Sequence, residues 1–345
     1  MLTTTDGEQD RPSANPVLPS LEPVVRDLLH LSIDTDRIRE VARGLDDEQL
    51  GTQKDDWWRG PVFLEEDSER TIQFFMVANT LNFKYWDSED PNKVYATEYK
   101  GTTWDGAYGM FAALVRALDE GRDILDAEYL AGLTDEEAED IFRGTVPMPM
   151  VKERAAILRE TGQVLRDKYH GSFTNLIERS GHRAFDQGNG IVDRLARDFP
   201  SYSDTSLYVD REVVFHKRAQ LAVGMLYNRL RDGDLFKVED VDELTVFADY
   251  QLPRALRSLG ILKYSDELAQ KVDGRELIPQ DSPEEVELRA ATVYAADLLL
   301  TEVNAARAKE GNEAVSVLNI DYCLWLAGRD APEDQYHHLT ETTAY

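Results

Sequence analysis

The chain has 345 residues, 42% of them hydrophobic. A chain of this length buries roughly three quarters of its unfolded surface, so a large core is expected. Its 38 basic and 66 acidic residues leave a net charge of −28. That surface repels polyanions and excludes long nucleic acid and anionic membrane as expected partners, while two or three local cations could still hold the phosphate of a single nucleotide.

Residues 1–18 are polar, contain Pro and Gly, and read as a disordered arm. No basic segment followed by an apolar run opens the chain. No apolar stretch reaches the ~18 residues a membrane span requires, so a cytoplasmic protein is expected. From there helical periodicity dominates. Ile72, Phe75, Met76 and Phe83 mark one face of a helix over 70–84. Val94–Thr97 and Thr102–Trp104 read as a hairpin around Lys100-Gly101. Thr134-Asp135-Glu136-Glu137 is a capping box opening a helix to about Phe142. A long helix is expected over 150–168. Leu207–Val209 and Val213–Phe215 read as a second hairpin around Asp210-Arg211. Val214, Leu221, Ala222, Met225 and Leu226 give a buried stripe on a helix through 213–230.

Pro253 suits the start of a short helix ending near Gly260. Ser282-Pro283-Glu284-Glu285 combines an N-cap serine, proline at N1 and glutamate at N3, so a helix should run from there to about Lys309, where Gly311 stops it. A last helix is expected over 316–327. Strands and helices do not alternate, and there is no repeat of 30–45 residues. The expected fold is mostly α: one helical domain over 19–345, with one or two small hairpins and room for two lobes flanking a cleft.

Familiar catalytic signatures are missing. There is no GxxxxGK[ST], GxGxxG, HExxH or GxSxG. The single cysteine, Cys323, excludes disulfides and cysteine-based zinc sites, and its apolar setting marks it as a buried thiol. His337-His338 are adjacent and so face different directions, with no carboxylate at ligand spacing. No metal and no cofactor is expected.

Four constellations remain. Asp249 lies in the turn before the helix at Pro253, between Phe247 and Tyr250. Backbone N–H groups there favour a charged carboxylate, and the aromatics could wall a flat ligand. The plain alternative is a helix cap beside core aromatics. Asp321-Tyr322 lies between Leu318, Ile320 and Leu324, Trp325, where a charge needs a partner, either an internal arginine or a ligand. Asn79–Trp86 combines amides, a cation and aromatics at a helix end. His170-Gly171-Ser172-Phe173-Thr174-Asn175 is a Gly-Ser turn whose backbone could hold a phosphate.

In this order, LNF-x-x-W at 81–86, GSF-x-N at 171–175, FPSY at 199–202, HKRAQ at 216–220, FADY-x-x-P at 247–253, LKYSDEL at 262–268 and DY-x-L-W at 321–325 resemble the queuosine salvage family. The similarity covers roughly 55–345. Each motif is weak alone, but seven in one order are specific. The resemblance implies a fold like the helical DNA glycosylases. It also implies hydrolysis of the N-glycosidic bond of queuosine 5'-phosphate, releasing queuine, a 7-deazaguanine base, for return to transfer RNA. The position matching the family's catalytic acid is Asp249, flanked by Phe247 and Tyr250, and Asp321 and Tyr322 match positions that hold the base. Three positions depart from the family pattern: Asn79 stands where Asp is usual, Gln251 and Arg254 where Arg and Gln flank the proline, and Leu326 where a second acid follows DY-x-L-W.

The chemistry fits these residues. Glycosidic cleavage passes through an oxocarbenium-like state that an ionised aspartate stabilises while orienting water. A carboxylate such as Asp321 can accept the guanine-like N–H edge of queuine, and an acidic cleft favours the secondary amine of its side chain as a cation. Asn82, Phe83 and Trp86 are expected at the base. Lys217, Arg218 and the Ser172 turn are expected at the phosphate. An N-glycosidase for another nucleotide, and a helical binding module without catalysis, remain as alternatives. A DNA repair glycosylase is disfavoured by the charge.

Overall fold

Ser282 shows how faithfully local chemistry is obeyed. Its hydroxyl accepts from the Glu285 backbone, Pro283 occupies the first helical position, and the helix runs to Glu310 before Gly311 closes it at φ +79°. The structure, a computed structural model, describes residues 14–345. In chain order its helices are α1 (Val17–Arg26), α2 (Thr35–Gly44), α3 (Glu69–Thr80), α4 (Gly106–Asp119), α5 (Ala127–Ala131), α6 (Asp135–Ile141), α7 (Val151–Tyr169), α8 (Phe173–Arg179), α9 (Ile191–Asp198), α10 (Lys217–Leu230), α11 (Gln251–Ser258), α12 (Asp266–Asp273), α13 (Pro283–Glu310) and α14 (Val317–Arg329). The strands are β1 (Leu31–Ile33), β2 (Ala96–Tyr99), β3 (Thr102–Asp105), β4 (Thr205–Tyr208), β5 (Arg211–Val214) and β6 (Leu262–Tyr264). The protein is mostly α. Among the described residues no helix is long and apolar enough to cross a membrane.

The six strands form three antiparallel pairs. Two are the expected hairpins. In β2–β3 the pair Tyr99↔Thr102 closes a two-residue turn in which Lys100 and Gly101 both have positive φ, the twist that suits a hairpin. In β4–β5 the pair Tyr208↔Arg211 puts the turn at Val209-Asp210, one residue earlier than expected. The third pair, β1–β6, joins distant parts of the chain and carries no local turn signal.

Other differences concern ends. Helix α3 stops at Thr80 rather than 84, leaving Leu81–Trp86 as an irregular segment. Helix α10 starts at Lys217 because Val214 is taken by β5. Of the arm expected over 1–18, residues 14–18 are folded: Ala14 N–H donates to Glu243 and α1 begins at Val17. The rest of the arm lies outside the described residues.

One hydrophobic cluster runs from Val17 through α3, α4, α7, α10 and α13 to Leu324. Two glycines set the approach of helices that matter below. A Cβ on Gly328 would meet the Gln251 carbonyl at 2.5 Å, so α14 lies directly on the start of α11. A Cβ on Gly224 would come within 2.8 Å of both Phe247 and Leu318, so α10 packs closely under both segments.

Candidate active site

The close packing of α14 on α11 brings two acids to one cavity. Asp249 sits in the turn before α11. Its Oδ1 accepts from Gln251 N at 2.7 Å and Leu252 N at 3.2 Å, the helix-start arrangement expected from the proline behind it. Asp321 lies on α14, one turn after its start. Its Oδ1 accepts the Phe247 N–H at 2.8 Å, which ties the FADY segment to the last helix. Both side chains are half-buried and line the same cavity.

No arginine is bonded to either acid among the described residues, and this shapes their acidity. Burial pushes Asp249 above the ordinary carboxylate range, against the pull of the Lys217 charge and its two backbone donors. Burial pushes Asp321 further, to about 8, and the neighbouring charge of Asp249 adds to the rise. Lys217 is driven down to about 8 by burial, although the two acids pull it back. Three titratable groups thus meet in one low-dielectric site, which is common where acid–base chemistry is done.

Lys217 is placed from both ends. Its backbone N–H donates to Asp204 Oδ2 at 2.9 Å, and its ammonium donates to the Asn82 carbonyl at 3.1 Å. The segment after α3 is in turn held by buried cations at each carbonyl. Arg218 takes Thr80, Lys217 takes Asn82, and Arg154 takes Leu81, Phe83 and Lys84, the last two at 2.7 Å. Carbonyls without a helix partner are costly inside a protein, and three cations remove that cost while fixing the cavity wall. Asn82 is itself engaged, donating to Asn79 at 3.1 Å and accepting from Tyr85 at 2.9 Å.

The remaining wall is aromatic. Phe83, Trp86, Phe247, Tyr250 and Tyr322 line the cavity as the sequence suggested, together with Asn82 and Lys217. Arg218 and Ser172 do not. Arg218 is buried behind the cavity, its guanidinium spent on the Thr80 and Ser201 carbonyls and stacked over Phe83 and Tyr202. The Ser172 hydroxyl caps α8 through Thr174 N at 3.1 Å, and Gln73 accepts the Phe173 N–H at 3.0 Å, so these two backbone donors of the turn are already spent.

Other residues that the sequence did not assign to the site also line the cavity. Trp57 packs edge-on against Tyr322 with centroids 4.7 Å apart, and Trp58 lies beside it. Tyr108 and Trp325 form a neighbouring pair, with the Arg329 guanidinium over the Trp325 ring at 5.1 Å. His337 packs at a tilt against Tyr250, with centroids 4.7 Å apart. The cations lining the cavity are Lys84, Lys217, Arg254 and Arg329. Lys84 is spent on Ser88 and Glu341, and Arg254 on three carbonyls. Lys217 and Arg329 keep donors to spare; Arg329 reaches Asp105 only at 3.9 Å. Among the described residues no group of three or more His, Cys, Asp or Glu could hold a metal ion.

A protein from Sphaerobacter thermophilus, described as queuosine 5'-phosphate N-glycosylase/hydrolase, is 35% identical over 330 residues, 95% of this chain and 97% of its own. Proteins of the same description from Mus musculus and Schizosaccharomyces pombe are 35% and 29% identical, over 77% and 85% of this chain and 78% and 85% of theirs. The family described as queuosine salvage protein matches residues 62–345, a span that holds both acids and Lys217, and the chain belongs to that family.

Proposed function

We propose that this protein hydrolyses the N-glycosidic bond of queuosine 5'-phosphate and releases queuine, with Asp249 as the catalytic carboxylate. The observation that carries the reading is the pair Asp249 and Asp321, set with one lysine in an aromatic cavity and given no arginine to neutralise them. The names of the relatives point to the same reaction.

In this reading Asp249 faces the sugar. Positive charge grows on the ribose as the base departs, and a preorganised carboxylate in a site of low dielectric stabilises it strongly. The same carboxylate orients the attacking water. The Lys217 charge pulls Asp249 toward its ionised form against the effect of burial, and its free N–H donors face the departing base as negative charge builds there. Asp321 takes the guanine-like edge of queuine. Two N–H donors on its carboxylate favour the ionised form, so base binding near neutral pH draws a proton off the Asp321 carboxyl. Phe83, Trp86, Phe247, Tyr250 and Tyr322 enclose the flat ring. The phosphate is assigned to Arg329, on the more exposed side of the cavity, in place of the expected Lys217, Arg218 and Ser172 turn. Such a reaction on a free nucleotide fits a cytoplasmic protein.

The test is incubation of the purified protein with queuosine 5'-phosphate and, in parallel, guanosine 5'-phosphate, with free base followed by mass spectrometry. Queuine release with little guanine is expected. Comparable guanine release would make the enzyme a broader N-glycosidase, and no release from either would overturn the reading.

A further inference from the structure

The chain's C-terminal segment contributes a group to the cavity that the reaction above does not use. We propose that His337 presents a lone-pair acceptor, Nε2, to a ribose hydroxyl of the bound nucleotide and so acts as a specificity-determining residue for the sugar; this rests on the functional reading given above.

The tautomer follows from one hydrogen bond. Nδ1 of His337 lies 2.7 Å from the His338 carbonyl oxygen. A carbonyl can only accept, so Nδ1 carries the hydrogen, and a neutral imidazole then has its lone pair on Nε2. Burial holds the ring neutral, with its pKa lowered to about 4. Nε2 has no protein partner among the described residues, and the residue lines the cavity.

The ring is held firmly in place. It packs against Tyr250 at a tilt of 40° with centroids 4.7 Å apart and lies 6.1 Å from Trp86. The segment that carries it is anchored on both sides. Arg254 donates to the Ala331, Pro332 and Gln335 carbonyls, at 3.2, 3.2 and 2.5 Å. Beyond it, Ile278 N–H donates to Leu339 O at 2.7 Å, and the His338 ring meets the Tyr345 hydroxyl at 3.1 Å. An acceptor fixed this way discriminates well, because its geometry is set before the ligand arrives.

The choice of a sugar hydroxyl comes from position and chemistry. Tyr250, against which His337 packs, follows Asp249 directly in the chain, and Asp249 is the group assigned to the sugar. Asp321, assigned to the base edge, lies on α14. The two carboxylates are strong acceptors suited to developing positive charge and to N–H groups, whereas a neutral imidazole nitrogen suits a neutral O–H donor.

The experiment compares three enzymes on four substrates. His337→Phe keeps an aromatic ring against Tyr250 and removes the acceptor. Queuosine 5'-phosphate is compared with its 2'-deoxy and 3'-deoxy analogues, and with a 7-deazaguanosine 5'-phosphate lacking the cyclopentenediol. The ratio of kcat/KM values for parent over analogue, wild type against variant, cancels the intrinsic reactivity of each substrate. Wild type should favour the parent over one of the deoxyribose analogues by about tenfold more than His337→Phe does, the worth of one hydrogen bond in a site that expects it. His337→Gln, which can place an oxygen near the Nε2 position, should recover part of the ratio. Equal ratios in wild type and His337→Phe overturn the proposal. So does a change confined to the substrate lacking the cyclopentenediol, which would put His337 at the base instead. Should His337→Phe fail to fold, the glutamine variant and ¹⁵N shifts of the wild-type imidazole still decide: a protonated Nε2 refutes the assignment. Absence of queuine release by wild type would refute the functional reading and leave the shifts as a separate result.

Discussion

Two buried acid sites lie side by side in this protein, linked by Lys217, and they are built on opposite principles. Asp204 is met by Arg289 through two hydrogen bonds of 2.8 and 2.7 Å, and its Oδ2 also takes the Lys217 backbone N–H. Burial alone would raise its pKa, but the Arg289 charge and these bonds outweigh burial and hold it below the ordinary carboxylate range. Asp249 and Asp321 stay partly open to the cavity; each has backbone donors only and one shared lysine, and both titrate high. A satisfied buried ion pair holds structure together. A carboxylate left under-satisfied beside an aromatic cavity is held in readiness for a ligand.

The sharpest way to break that comparison is to neutralise one acid of each kind. Asp249→Asn should lower turnover of queuosine 5'-phosphate by about 10³-fold or more, as expected when the main stabiliser of transition-state charge is lost. Its melting temperature should hold or rise, since a buried charge with few partners is removed. Asp204→Asn should do the reverse. It leaves the Arg289 guanidinium buried without its partner, a loss of about 3–5 kcal/mol in denaturant unfolding. Activity per folded molecule should fall much less than in Asp249→Asn. Were both variants to lose stability equally while keeping turnover, the two sites would be the same kind of site.

The pH dependence of stability separates them by sign. Asp321 in the folded protein holds its proton up to about 8, far above the ordinary carboxylate value. The unfolded chain releases that proton near pH 4, so the folded state binds more protons between about 4 and 8. Its contribution is complete below that window and is lost as pH rises through it. Asp204, shifted downward, contributes above its ordinary pKa and loses that contribution as pH falls. Unfolding measured at pH 5 and pH 8 should therefore show a smaller decline in Asp321→Asn than in wild type, by on the order of 3 kcal/mol. Parallel declines in the two proteins would remove the buried acid from the account.

How much of this was legible beforehand follows from the range of the forces involved. The starts of α6 and α13 and the stop at Gly311 were readable because caps act within four residues. Asp249 was readable as a turn acid before a proline helix, and Asp321 as a charge in an apolar run. Their meeting in one cavity was not, because it depends on Gly328 lying against Gln251 and Gly224 against Phe247, contacts between distant parts of the chain. The pairing of β1 with β6 was hidden for the same reason. His337 and Trp57 reach the cavity from segments with no periodicity to read, and Arg329 stands at the very end of α14, two residues past the expected helix. Arg218 was misassigned because a cation beside Lys217 in sequence points elsewhere on a helix, where two carbonyls consume it.

The smallest expected effect concerns Ser172, the other residue set aside from the phosphate, and it tests the same distinction between satisfied and waiting groups. The Ser172 hydroxyl closes the first turn of α8, and the next N–H is already given to Gln73. Ser172→Ala should cost about 1 kcal/mol of stability, the usual worth of an N-cap. The KM for queuosine 5'-phosphate should not move. A phosphate held at that turn would behave differently: KM would rise for the nucleotide and stay level for the unphosphorylated nucleoside. Arg329→Gln is the matching experiment, and there the nucleotide-selective rise in KM is the expected result, because its guanidinium meets Asp105 only at 3.9 Å and keeps donors free.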